Sequence, residues 1–137
     1  MSDDNLFGDE HVRVYIDTDG ERGHDWKGTQ CLLLTTTGRK SGQPRVAPLI
    51  YAPDDDRFII VASKGGADEP PAWYLNMEDD SEVEVQVKSD RFKATAHDAE
   101  GEERERLWTR MNEEWPDYTE YQQKTDREIP VVILERA

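Results

Sequence analysis

Between residues 31 and 134 the chain is cut into short β-forming runs by turn residues, and this rhythm restricts the fold more than any other feature. Residues 31–37 (CLLLTTT), 45–52 (RVAPLIYA) and 57–63 (RFIIVAS) are apolar and β-branched, the composition of buried strands. Val83, Val85 and Val87 alternate with Glu84, Gln86 and Lys88, and Phe92, Ala94 and Ala96 continue the two-residue period. That period puts one side of each run in a core and the other in water. Residues 129–134 (IPVVIL) supply a sixth run. Several connections are tight: GRKSG at 38–42, PDDD at 53–56, and Ser89-Asp90. Strands joined this closely pair antiparallel, because a parallel pair needs a crossover of a dozen or more residues. Pro48 falls inside the second run and assigns it to an edge or a bulge. About six such strands predict a small antiparallel barrel, α+β in class and mainly β, rather than alternating βαβ units.

Helices are inserted between and around these runs. Pro70-Pro71 can open one over 72–78 (AWYLNME), since proline suits a first turn. Residues 100–115 carry Glu102, Glu103 and Glu105 at the positive end of the helix dipole. Leu107, Trp108, Met111 and Trp115 form an apolar stripe at helical spacing. Pro116 interrupts, and 117–124 reads as a further short helix. Residues 11–18 (HVRVYIDT) are ambiguous: the period favours a strand, while the length and the Asp-Gly that follows allow a short helix. Residues 19–30 read as a loop. Residues 1–10 are expected to be a frayed acidic lead, and 11–137 a single domain.

Charge removes several functions. The chain holds 31 acidic and 17 basic residues, a formal net charge of −14, which repels a phosphate backbone and argues against duplex nucleic acid as a partner. No run approaches the roughly 18 to 20 apolar residues of a membrane span, and the acidic start is the reverse of a secretory signal. Cys31 is the single cysteine and has no partner for a disulfide. These features suit a cytoplasm, and the acidity suits one adapted to high salt, where a Debye length of about 3 Å screens self-repulsion. His11, His24 and His97 show no ligand spacing, so no metal is expected. Neither a nucleophile elbow nor a dinucleotide fingerprint is present. The charge is also uneven. Residues 31–66 hold Arg39, Lys40, Arg45, Arg57 and Lys64 against Asp54, Asp55 and Asp56, a net of +2, so the remainder carries −16. A bound anion is one reason for such an island.

Four segments carry candidate chemistry. Gly38, Arg39, Lys40, Ser41 and Gly42, with Arg45 just beyond, bring backbone N–H groups, cations and a hydroxyl to one turn. Thr35 and Thr37 precede them on one side of the strand and Thr36 on the other. Such a set suits phosphate or carboxylate, although a solvated basic turn looks the same. Ala62, Ser63, Lys64, Gly65 and Gly66 allow another group to approach the backbone closely, or simply end a strand. Trp73 and Asn76 belong to a pocket wall or to the core. Trp115, Tyr118 and Tyr121 are spaced to share one helical face. Phenols with an ordinary pKa of about 10 remain hydrogen-bond donors at neutral pH, and packing is the alternative.

Taken together, these segments resemble the deazaflavin-dependent nitroreductases, small split β-barrel (FMN-binding-like) oxidoreductases that use coenzyme F420. The likeness is carried by LLLTTTGRKSGQPRVAPLIY at 32–51, VASKGGADEPPAWYLN at 61–76 and WPDYTEYQQKTDREIPVVIL at 115–134, and it runs from residue 11 almost to the end. The resemblance implies hydride transfer from the reduced deazaflavin to a small-molecule acceptor: a quinone, a nitroaromatic or an activated alkene. It places Arg39, Lys40 and Arg45, with Ser41 and Gly42, at the coenzyme's anionic tail. Thr35, Thr36, Thr37, Gly38, Pro48, Ala62, Ser63, Lys64, Gly65 and Gly66 would line the deazaflavin, with Trp73 and Asn76 closing the wall. Ser63 would orient the ring or donate to substrate. Tyr118 and Tyr121 would line the acceptor site and stabilise its oxyanion, with Trp115 over the ring face. In the family a tyrosine often stands where this chain has Trp115. The resemblance also implies a helix over 11–18 and allows a homodimer. An FMN-binding split barrel and a non-catalytic deazaflavin carrier or sensor are the competing readings.

Overall fold

The computed structural model describes residues 5–137. In chain order the elements are α1 (Gly8–Asp17), β1 (Asp25–Trp26), β2 (Thr29–Thr37), β3 (Pro44–Ile50), β4 (Ala52–Asp54), β5 (Arg57–Val61), a single 3-10 turn (Lys64–Gly66), α2 (Ala72–Asp79), β6 (Glu82–Val87), β7 (Asp90–Asp98), α3 (Gly101–Glu114), α4 (Asp117–Gln123) and β8 (Val131–Arg136). No helix among the described residues is long and apolar enough to cross a membrane.

Every strand pairing is antiparallel, running β2–β6–β7–β8–β5–β4, with β3 on the other edge of β2. Only Tyr51 separates β3 from β4, and its N–H donates to the Gln30 carbonyl at 3.1 Å. The two are therefore one broken strand. Its first part pairs with β2 from Cys31↔Ile50 to Thr37↔Pro44, and its second with β5 at Ala52↔Ile59. The break closes the sheet into a six-stranded split barrel, the number of strands legible in the sequence, with the two-residue β1 added at the end of β2. Pro48 sits on β3, which pairs with β2 alone. It occupies the edge position that its missing N–H demands.

Two apolar layers share the β5 and β8 strands. Leu32, Leu34, Ile60, Val85 and Leu134 fill the barrel under Trp73 and Met77 of α2. Ile59, Val131 and Ile133 face outward under Leu107, Met111 and Tyr118 of α3 and α4. Strands buried on both faces lose the alternation of half-exposed strands, which is why RFIIV and VVIL read as continuous apolar runs. β8 begins at Val131, after Pro130, whereas the apolar run itself starts at Ile129. The Ile129 N–H instead donates to the Gln122 side chain at 2.9 Å.

Residues 11–17 are helical, against their two-residue period. The helix buries His11, Val14 and Tyr15 on one face, a spacing that a strand would split between two faces. The Tyr15 hydroxyl docks the helix on the barrel, 3.1 Å from the Cys31 carbonyl and accepting the Lys88 N–H at 2.8 Å. The helix begins at Gly8, so Gly8, Asp9 and Glu10 belong to it rather than to a frayed lead. The first four residues of that lead lie outside the described residues.

The basic island of the sequence is smaller than its composition suggests. Arg57 pairs with Asp54 and Glu103 at the far end of β5, and Arg106 reaches the same Asp54 at 2.9 Å. Arg106 and Arg57 pull the Asp54 carboxyl down to about 2. A depressed folded-state pKa adds stability above the unfolded value near 3.9, and that stability disappears as the pH falls toward 2. Asp54→Asn is therefore expected to cost about 1 kcal/mol at pH 7, a value discounted for solvent screening. In paired thermal melts, the gap between parent and variant should close between about pH 4 and pH 2. A gap constant across that range would remove the ion pair as its cause.

Candidate active site

The end of β5 sets the local geometry. After Ser63 the chain enters three successive residues at positive φ: Lys64 at 47°, Gly65 at 64° and Gly66 at 85°. A Cβ on Gly66 would lie 2.6 Å from the Tyr121 carbonyl oxygen and 2.9 Å from its Cα. Only glycine lets this turn rest on the backbone of α4. The N–H groups of Gly66 and Ala67 close the turn on the Ser63 and Lys64 carbonyls at 3.0 and 3.2 Å. Those of Ser63, Lys64 and Gly65 have no acceptor among the described residues.

Pro48, Ser63, Lys64, Gly65, Trp73, Trp115, Tyr118 and Tyr121 line one cleft of about 530 Å³. Phe7, Gly8, His11, Trp26, Cys31, Leu49, Ile50, Val61 and Pro71 complete it. Of these, Trp26 had no sequence signal, standing alone in a glycine-rich loop. It stacks on Trp115 with ring centroids 5.9 Å apart and planes at 24°, and its indole N–H donates to the Leu6 carbonyl at 2.9 Å. Tyr118 and Tyr121 meet edge to face at 6.1 Å. The Trp115 indole N–H donates to the Tyr121 hydroxyl at a long 3.4 Å, which leaves the phenol proton for another acceptor. Burial pushes the Tyr118 phenol well above its ordinary range, which keeps it protonated and able to donate a hydrogen bond. Burial likewise pushes the Cys31 thiol up to about 12. Cys31 is thus a neutral wall group rather than a nucleophile.

The remaining candidates stand away from the cleft. Ala62 is buried beneath the turn and Gly66 against α4. Gly38 and Gly42 brace the β2–β3 hairpin, with Gly38 N–H on the Gln43 carbonyl and Gly42 N–H on the Gly38 carbonyl, both at 2.8 Å. The Ser41 hydroxyl accepts the Gln43 N–H at 3.1 Å. Thr37 is exposed, Thr35 lines a separate groove with Ile16 and Val46, and Arg45 lies beside Asp9, Arg13 and Asp17 of α1. Asn76 lies outside the cleft lining and serves instead as a strut. Its carbonyl oxygen accepts the Arg39 N–H and its amide donates to the buried Thr36 hydroxyl, each at 3.1 Å. Trp73 and Asn76 are three residues apart on α2, hence on neighbouring positions of one helical face. The first lines the cleft and the second grips the basic turn, so turn and cleft adjoin. Arg13, Arg57, Arg91, Arg104, Arg106, Arg110 and Arg136 all face carboxylates. Among the described residues Arg39, Lys40, Arg45 and Lys64 form no ion pair, although Arg45 shares its groove with Asp9 and Asp17.

A cleft walled by aromatics beside uncommitted cations is the setting in which the known relatives become informative. The family model for F420H(2)-dependent quinone reductases matches residues 8–136. This chain belongs to that family. It is, accordingly, a deazaflavin-dependent oxidoreductase with coenzyme F420 as its cofactor. An F420H(2)-dependent quinone reductase of Mycobacterium tuberculosis (strain H37Rv) is 44% identical over 130 residues, covering 92% of this chain and 87% of the relative. Among solved structures, an F420-H2 dependent reductase is 45% identical with a TM-score of 0.71, over 77% of this chain and 93% of that one. A second, described as a domain-swapped dimer, is 41% identical with a TM-score of 0.74, over 90% and 96%. At these scores both solved structures share the fold of this chain, an antiparallel split barrel.

Proposed function

We propose that this cleft is the ternary site in which the F420-dependent oxidoreductase reduces a quinone. The observation that carries the reading is the juxtaposition of an aromatic cleft, three consecutive amides on its wall with no acceptor among the described residues, and a cationic turn one helical step away. A long cofactor with a planar ring and an anionic tail fits that arrangement: the amides of Ser63, Lys64 and Gly65 meet the polar edge of the ring, and Arg39 and Lys40 meet the tail. When bound, the reduced deazaflavin supplies a hydride. Trp26 and Trp115 exclude water around a flat acceptor and hold it at near-contact distance. Tyr118 and Tyr121 donate hydrogen bonds to the acceptor oxygen that gains charge. A quinone offers two such oxygens on a flat ring. Nitroaromatics and activated alkenes share the flat shape and are secondary acceptors of the same site.

The test is a fluorescence titration of the tryptophans with F420 and with FMN, followed by stopped-flow oxidation of the reduced coenzyme by menadione. Tight F420 binding and menadione-dependent oxidation are expected. Binding without oxidation would make the protein a carrier, and preference for FMN would overturn the coenzyme assignment. In the same titration Lys40→Glu is expected to weaken F420 roughly tenfold, about 1.4 kcal/mol, as for one charge-assisted contact. FMN, with a single short phosphate, should be little affected. Unchanged F420 affinity would remove Lys40 from the site.

A further inference from the structure

We propose that Arg127, which lies outside the cleft lining and pairs with no acid among the described residues, is the positioning residue of the coenzyme site: from behind the Ala62–Ala67 turn it aims the turn's amides into the cleft. The inference rests on the coenzyme reading above.

The guanidinium makes its contacts with carbonyl oxygens. Its Nε donates to Ala67 at 2.8 Å, one Nη to Ser63 at 2.9 Å, and both Nη groups to Ala62 at 3.3 and 3.4 Å. Among the described residues no carboxylate pairs with it. In a chain with 31 acidic residues, a half-buried cation committed to backbone marks a built contact. The planar fork of arginine can hold several carbonyls in one fixed geometry, whereas the point charge of lysine cannot.

Peptide planarity turns that contact into a consequence for the cleft. The Ala62 carbonyl shares its peptide plane with the Ser63 N–H, and the Ser63 carbonyl shares its plane with the Lys64 N–H. In a trans peptide the C=O and N–H point in opposite directions. Drawing both oxygens onto Arg127 therefore turns both N–H groups the other way, and Ser63, Lys64 and Gly65 are cleft-lining residues. The staple between Ala62 and Ala67 also holds Lys64 at its positive φ, a conformation that a non-glycine residue adopts only when its surroundings enforce it. The arm itself is fixed from α4. Gln122 donates to the Arg127 carbonyl at 2.7 Å and accepts the Ile129 N–H at 2.9 Å. One segment thus sets the coenzyme-facing turn against the helix that carries Tyr118 and Tyr121.

Arg127→Met and Arg127→Lys, measured against the parent, test this. F420 affinity is read by tryptophan fluorescence, and KM for reduced F420 and kcat by menadione-dependent oxidation. Arg127→Met is expected to raise Kd and KM for the coenzyme at least tenfold, with kcat at saturating coenzyme falling less than threefold. Arg127→Lys should recover part of the loss. If the methionine variant does not fold, a two- to fivefold rise in KM for Arg127→Lys carries the comparison. Unchanged Kd and KM in a folded variant would overturn the assignment, as would a fall in kcat at constant KM, the signature of a smaller active fraction. Failure of the parent itself to bind F420 is seen before any variant is made, and it overturns the coenzyme reading on which this inference stands.

Discussion

Gly66→Ala is expected to destabilise the protein by about 3 kcal/mol and to abolish coenzyme binding, while Gly65→Ala in the same turn costs only about 1 kcal/mol. Both glycines have positive φ, so both substitutions carry the conformational penalty of an L-residue in the left-handed region. They differ in what a Cβ meets. At Gly65 nothing lies within 4 Å, whereas at Gly66 the new carbon would fall 2.6 Å from the Tyr121 carbonyl oxygen and 3.1 Å from its carbonyl carbon. Backbone cannot swing aside as a side chain can, so α4 must move off the turn. That motion separates Tyr118 and Tyr121 from Ser63 and Lys64 across the cleft. Urea denaturation of the two variants with matched F420 titrations measures the difference. Equal stability losses would show that the turn does not rest on α4 as described.

The Gly66 contact illustrates what the sequence can and cannot express. The barrel strands were legible because each is an alternating or a continuous apolar run and the tight turns between them carry glycine, proline, serine or aspartate. The break at Tyr51 was not, since nothing in RVAPLIYAPD distinguishes one bent strand from one straight one. Tertiary burial overrode period in residues 11–17, where Tyr15 finds three backbone partners on the barrel. Half of the candidate site was legible as a set of turns and aromatics. The division of labour within it was not, because hydrogen-bond partners more than thirty residues apart leave no local signal. Asn76 reads as a pocket wall from its neighbours in PAWYLN, and only the fold shows it gripping Thr36 and Arg39. Arg127 lay inside the matching segment 115–134 but had no role assigned there, and Trp26 sat in a loop whose glycines announced nothing but flexibility.

Asn76→Ala is expected to cost about 2 to 3 kcal/mol of stability and about tenfold in F420 affinity, for two separable reasons. Asn76 is 3% exposed, and its side-chain amide satisfies a donor and an acceptor at once. Truncation leaves the buried Thr36 hydroxyl without its partner, at the full desolvation penalty, and the Arg39 N–H on the exposed turn without its acceptor. It also removes the tie between α2 and the hairpin turn, so Arg39 and Lys40 lose their fixed position beside the cleft and the coenzyme must order them on binding. Asn76→Asp separates the two effects. An aspartate of the same shape still accepts from the Arg39 N–H, and the Thr36 hydroxyl can rotate to donate to it. The geometry therefore survives while a negative charge enters beneath the cationic turn. Its stability loss should be smaller than that of the alanine variant, and its loss of F420 affinity larger and reduced by added salt. If the alanine and aspartate variants bound F420 equally at every ionic strength, the turn above Asn76 would not be where the anionic tail is held.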